Sequence, residues 1–255
     1  MLLIRPSFFP MRTAIVIPAR YASTRFPGKP LHLLAGRPMV QHVWDRCRAA
    51  RRAAAVLVAT DDERIRAAAL GFGAEVVMTR PDHPSGTDRL AEVAQARPEF
   101  AAILNVQGDE PLISPALIDG LIDALAADPA LDIVTAAVPV DDPVLIADPN
   151  VVKAVVAADG HALYFSRSPV PYDRAAGRAA ARCLWHKGIY GYRREFLLRY
   201  VSWPPSPLEQ LEQLEQLRAL EHGARIRVVE TTEIAPGVDT PEQAAAVERI
   251  LLAQG

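Results

Sequence analysis

Within residues 20–29 the chain carries Arg20, Arg25 and Lys29, with Ser23, Thr24 and Gly28 between them and prolines on both sides. Three cations packed this closely suit a polyanion such as a triphosphate. Arginine contacts phosphate oxygens in a bidentate fork, and lysine serves as a compact point charge. The apolar run 14–17 stands just before them, and a loop at the carboxyl end of a first parallel strand is where an open α/β sheet binds its ligand. Two acids could complete such a site. Asp109 lies in Gln107-Gly108-Asp109-Glu110-Pro111, directly after the apolar run 102–106. Asp239 lies in Gly237-Val238-Asp239-Thr240-Pro241, ahead of the last apolar-periodic segment. Magnesium takes one or two carboxylates together with substrate phosphates, so two aspartates meeting over a triphosphate would suit it. Each aspartate alone also reads as an ordinary turn or helix-cap residue.

Other chemistries are excluded by what the 255 residues lack. No G-x-G-x-x-G follows the first strand and no G-x-x-x-x-G-K-[ST] occurs, which argues against dinucleotides and P-loop hydrolysis. A Gly-x-Ser-x-Gly elbow and a zinc-spaced histidine–cysteine cluster are absent too. The net charge of −2 supplies no basic field for nucleic acid. Cys47 and Cys183 read as free thiols of a reducing compartment. No apolar run approaches the roughly 20 residues of a membrane span, and residues 1–10, interrupted by Arg5, Pro6 and Pro10, make a poor secretion signal. A cytoplasmic enzyme with no nucleic-acid or membrane partner is the expectation.

The candidate residues need a scaffold. Four strand–loop–helix units run from residue 14 to residue 127: strand 14–17 with helix 39–50, 55–59 with 63–70, 75–78 with 88–96, and 102–106 with 115–127. This alternation predicts a doubly wound, mostly parallel sheet. Right-handed crossovers then gather the loops after the strands on one edge, which brings the basic loop, loop 82–87 and loop 107–111 together. A strand at 132–140 follows. Strands at 151–157, 161–166 and 188–192 have no helices between them, so 141–185 reads as an antiparallel arm. The remaining segments are a helix at 193–201, one helix at 207–222, a strand at 224–230 and a helix at 241–253 capped by Thr240. In helix 207–222 Leu-Glu-Gln occurs three times in succession, and Leu208, Leu211, Leu214 and Leu217 form one broad stripe.

In these motifs the chain resembles the 3-deoxy-manno-octulosonate (Kdo) cytidylyltransferases. The matching stretches are 17–31 (IPARYASTRFPGKPL), 59–61 (ATD), 78–90 (MTRPDHPSGTDRL), 105–111 (NVQGDEP), 163–167 (LYFSR), 186–192 (HKGIYGY), 206–208 with 214–218 (SPL, LEQLR) and 237–241 (GVDTP). They run in the family's order and together are highly specific. Lys187, where the family has an apolar residue, and the extra residues 1–10 are the departures.

The resemblance implies a Rossmann-like sheet of the nucleotide-diphospho-sugar transferase type and the reaction of CTP with Kdo to give CMP-Kdo and pyrophosphate. It implies Arg20, Arg25 and Lys29 as triphosphate contacts, with Arg20, Lys29, Asp109 and Asp239 the catalytic set. Ser85, Gly86 and Thr87 become part of the nucleoside pocket, and Asp109 and Asp239 become ligands of Mg2+. Gln107, Arg167, His186, Tyr190, Glu215 and Gln216 form the Kdo pocket. Arg167 and His186 then suit the sugar's carboxylate. The implied organisation is a nucleotide-binding core at 11–140, a sugar-binding and dimerisation arm at 141–192, a return to the core at 193–255, and a homodimer. CMP-sialic acid synthetases are the nearest alternative, but they resemble Pro-Ala-Arg-Gly-Gly-Ser-Lys in the first loop and lack Gln-Gly-Asp-Glu-Pro. A CTP-binding module without turnover is the alternative of another class.

Overall fold

The computed structural model describes residues 11–22, 26–174, 183–233 and 235–254. In chain order the first half comprises β1 (Thr13–Ala19), a single 3-10 turn (Lys29–Leu31), the short strands β2 (Leu33–Leu34) and β3 (Arg37–Pro38), α1 (Met39–Ala49), β4 (Ala55–Thr60), α2 (Glu63–Gly71), β5 (Glu75–Met78), α3 (Gly86–Ala96), β6 (Ala102–Asn105) and α4 (Pro115–Ala127). The second half comprises β7 (Ile133–Val140), α5 (Pro143–Ala147), β8 (Lys153–Val156), β9 (Ala162–Ser166), β10 (Cys183–Arg193), α6 (Arg194–Tyr200), α7 (Pro207–Glu212), α8 (Glu215–Glu221), β11 (Ile226–Glu230) and α9 (Pro241–Gln254).

The main sheet runs β11-β7-β10-β6-β1-β4-β5. Pairing is parallel at β1–β4, β1–β6, β4–β5 and β11–β7, and β10 lies antiparallel to both β6 and β7. Six strands therefore point one way and β10 runs against them, in line with the expected mostly parallel α/β sheet. Strands covered on both faces read as unbroken apolar runs, and Ala14, Ile15, Val16 and Ile17 are fully buried. Such burial leaves polar groups only at the strand ends, where the basic loop and the Gln107–Pro111 loop begin. Among the described residues no helix is long and apolar enough to cross a membrane.

Two elements differ most from the sequence reading. The strand expected at 188–192 is an eleven-residue strand, β10, whose first part pairs with β8 of the arm and whose last part pairs with β6 of the core. The arm thus feeds its last strand straight into the central sheet. Gly191 makes the fit possible, because a Cβ there would lie 2.7 Å from Val134 Cγ1 and 3.1 Å from Leu104 Cδ1.

The single helix expected at 207–222 is broken. Gln213 turns left-handed (φ 52°) and Leu214 is extended between α7 and α8. A three-residue repeat drifts around a 3.6-residue helix, and the break restores the phase. Leu211 is left 79% exposed, while Leu214 and Leu217 enter the core. The end of β9 clamps the turn. Ser166 Oγ and the Arg167 N–H donate to the Glu212 carboxylate at 2.7 and 2.9 Å. Arg167 Nε and Nη2 donate to the carbonyls of Glu212 and Gln213 at 2.7 and 3.2 Å.

Candidate active site

The chain leaves β1 at Arg20 and doubles back within eight residues. Gly28 has φ +70°, donates its N–H to the Tyr21 carbonyl at 3.0 Å, and sits so close to the Tyr21 ring that a Cβ would meet it at 3.2 Å. The Arg64 guanidinium stacks on the same ring, 3.3 Å from its centroid. Folded in this way, the loop presents Arg20 at one end and Lys29 at the other. Arg20 Nη2 donates to the carbonyls of His83 and Ser85 at 2.9 and 3.0 Å, joining the first loop to the third.

The two acids converge on Lys29. Its ammonium lies 2.6 Å from Asp109 Oδ2 and 3.3 Å from Asp239 Oδ1, and it donates to the Val238 carbonyl at 2.9 Å. Backbone contacts hold both loops in place. A Cβ at position 108 would lie 2.9 Å from the Pro18 carbonyl oxygen, so glycine lets the 107–111 loop pass against β1. The Val238 N–H donates to the Asp109 carbonyl at 2.9 Å, which ties the 237–241 loop to it. Two carboxylates this close repel each other, and the ammonium between them offsets that repulsion. Beside them burial pushes the Glu110 carboxyl above its usual range; Lys187 opposes the shift, and Asp109 and Asp239 add to it. The pair of hard oxygen donors fits a cation that fills its other positions with phosphate and water. Among the described residues no cluster of three potential ligands forms a self-sufficient metal cage.

Opposite the acids, α3 begins two residues earlier than its apolar spacing suggests. Ser85 is its cap, accepting from the N–H groups of Thr87 and Asp88 at 3.1 and 3.3 Å. Ser85, Gly86 and Thr87 therefore present a helix N-terminus, which favours anionic or polar ligands. Thr87 Oγ1 donates to Glu215 Oε2 at 2.8 Å, linking α3 to the first residue of α8. Arg20, Lys29, Ser85, Gly86, Gln107, Asp109 and Glu215 all line one cleft of about 420 Å³.

The remaining expected sugar contacts lie outside that lining. His186 is 8% exposed, with Nε2 2.9 Å from Thr135 Oγ1. Burial, with a smaller contribution from Lys187, pushes its pKa down to about 3, so the imidazole is neutral at physiological pH. The expectation that His186 suits the sugar's carboxylate then rests on hydrogen bonding rather than on charge. Tyr190 stacks on Tyr192 and lies tilted against His186, and Gln216 is buried in the first turn of α8. Arg167 directs three of its nitrogens at the carbonyls of Glu212, Gln213 and Pro149, so its charge is engaged in holding the α7–α8 turn. Arg25 falls outside the described residues.

Spacing gives no sign of a second layer behind the site. Arg89 is fully buried, donates to Thr79 Oγ1 and pairs with Asp61 at 3.1 Å. His83 pairs with Glu92. The available signal is an arginine and an acid on the buried side of an amphipathic helix, where a leucine would otherwise pack.

Comparison with known proteins places the chain in a family. The family model described as cytidylyltransferase matches residues 14–226. The 3-deoxy-manno-octulosonate cytidylyltransferase of Chromohalobacter salexigens is 54% identical over 94% of this chain and 96% of its own length. That of Myxococcus xanthus is 52% identical over 96% of this chain and 98% of its own.

The chain belongs to the 3-deoxy-manno-octulosonate cytidylyltransferase family.

A solved structure of CMP:2-keto-3-deoxy-manno-octonic acid synthetase complexed with CTP superposes with a TM-score of 0.92 at 45% identity, over 96% of this chain and all of that one. A cytidylyltransferase from Leptospira borgpetersenii, 16% identical with a TM-score of 0.65, shares the fold. Within this cytidylyltransferase family the cleft just described lies on the loop edge of the sheet, where α/β sheets bind nucleotides.

Proposed function

We propose that the protein transfers the cytidylyl group of CTP to the anomeric hydroxyl of 3-deoxy-D-manno-octulosonate, releasing pyrophosphate and forming CMP-Kdo for lipopolysaccharide synthesis. The hydroxyl oxygen bonds to the α-phosphorus, the bond from that phosphorus to the β-phosphate bridge breaks, and the hydroxyl proton is lost. The observation that carries this reading is the Lys29 ammonium gathering Asp109 and Asp239, with Lys29 and Asp109 lining the same cleft as Arg20.

Transfer of this kind depends on positioning and charge neutralisation, with no protein nucleophile. Arg20, Lys29 and, by resemblance, Arg25 take the triphosphate. Ser85, Gly86 and Thr87 take the nucleoside at the N-terminus of α3. Gln107 and Glu215 border the sugar from the same cleft, with Tyr190, His186, Gln216 and Arg167 behind them. Asp109 and Asp239 hold Mg2+, which when bound neutralises phosphate charge and lowers the pKa of the attacking hydroxyl. Lys29 keeps the two carboxylates together until the cation and the triphosphate arrive. The neutral imidazole of His186 fits a hydrogen-bonding role toward the sugar. The reaction belongs in the cytoplasm, and the arm, which exposes Val144 and Tyr172, is where we place a homodimer contact.

The test is pyrophosphate release from purified protein given CTP, Mg2+ and Kdo, beside Asp109→Asn. The wild type releases one pyrophosphate per Kdo consumed, and the variant loses at least ~100-fold in turnover with its melting temperature kept, as expected where a charge-stabilising group is removed. A wild type that is stabilised by CTP yet releases no pyrophosphate is a binding module, and the reading fails.

A further inference from the structure

We propose that Glu92 and Arg89 of α3, which lie outside the cleft, are positioning residues that set the 79–85 loop so that its carbonyls hold Arg20 over the nucleotide. The proposal rests on the reading of Arg20 as a triphosphate contact.

The loop between β5 and α3 has no regular structure, yet its carbonyls at His83 and Ser85 both accept from Arg20 Nη2. Their placement therefore sets where this long side chain points. Three anchors from α3 fix them. At the start of the loop, the buried Arg89 guanidinium donates to Thr79 Oγ1 while pairing with Asp61 at the end of β4. In the middle, the Glu92 carboxylate accepts from the Arg80 N–H at 3.0 Å and pairs with the His83 imidazole. At the end, Ser85 caps the helix. Arg89 and Glu92 are three residues apart and so share one face of α3. The loop is thus strapped to the helix it leads into.

The chemistry of the strap is costly for a merely structural role. A fully buried guanidinium is unfavourable unless paired, and an apolar side chain in its place commonly stabilises as well or better. Burial lowers the Arg89 pKa; Asp61 opposes this, the charge of Arg20 adds to it, and Glu92 opposes it again. The charges of Arg20, Arg89, Asp61 and Glu92 thus act on one another, with Arg20 on the cleft and Arg89 paired to Asp61 outside it. His83 Nδ1 is buried with no hydrogen-bond partner among the described residues, so the Glu92 contact is what fixes this ring, and with it the carbonyl that Arg20 needs.

The test is a double-mutant cycle in steady-state kinetics. Glu92→Ala raises KM for CTP by ~10-fold and leaves KM for Kdo unchanged, but adds less than ~2-fold in an Arg20→Ala background, since residues acting through one contact are non-additive. Thr79→Val, which removes the acceptor of Arg89 while keeping side-chain shape, gives the same pattern, and circular dichroism melts confirm that each variant is folded. A Glu92→Ala loss that is fully retained with Arg20→Ala, or that falls equally on both substrates, overturns the proposal alone. If Arg20→Ala leaves KM for CTP untouched, the reading of the nucleotide site falls with it.

Discussion

At the scale of the residue, the site is governed by how charge is handled away from bulk water. Lys29 resolves the repulsion between Asp109 and Asp239, and His186 avoids charge altogether. The His186 imidazole stays neutral in the folded protein down to about pH 3, whereas in the unfolded chain it takes up a proton near pH 6.5. Between those values the unfolded state binds a proton that the native state refuses, so stability is complete above about pH 6.5 and falls as pH drops. A single such group accounts for at most about 2 kcal/mol between pH 7 and pH 5. Urea unfolding at these two pH values checks it. The wild type is expected to lose more stability on acidification than His186→Gln, by up to that amount. Parallel losses in the two proteins would mean that the histidine is protonated where it lies.

At the scale of the element, the break between α7 and α8 converts a repetitive sequence into two helices with different duties. The first ends under the clamp of Arg167 and Glu212, and the second starts at Glu215, on the cleft. An unbroken helix would set Leu211 and Leu217 about 120° apart, near the two margins of one broad stripe. In the broken arrangement Leu211 is 79% exposed and Leu217 fully buried. Leu211→Gln is therefore expected to change stability by no more than about 0.5 kcal/mol, and Leu217→Ala to lower it by about 2–5 kcal/mol. Denaturant midpoints of both variants measure this, and comparable losses would contradict the contrast in burial that the break creates. The three Leu-Glu-Gln repeats gave no local cue to the break, such as glycine or proline. Its cause is a tertiary clamp from β9, some forty-five residues away.

At the scale of the whole molecule, the parallel half of the sheet was readable from the sequence because buried strands are continuous apolar runs. The loops of the site followed from the rule that parallel strands end on one edge. Less accessible was β10, because a strand shared by arm and core carries both environments in one segment. Distances also lay beyond the sequence: composition offered Asp109 and Asp239 as candidates but could not bring residues 130 positions apart onto one ammonium. Nor could it show that Arg167 faces carbonyls, since an arginine after a strand reads the same whether it meets a ligand or the backbone.

The account depends on the cationic loop and the two acids sharing one nucleotide-bound cation, and Mn2+ binding followed by electron paramagnetic resonance tests this most directly. With CTP present, the wild type is expected to bind Mn2+ at least ~10-fold more tightly than either Asp109→Asn or Asp239→Asn, because each variant removes one of the two carboxylate ligands. Equal Mn2+ affinity in the wild type and both variants would contradict it.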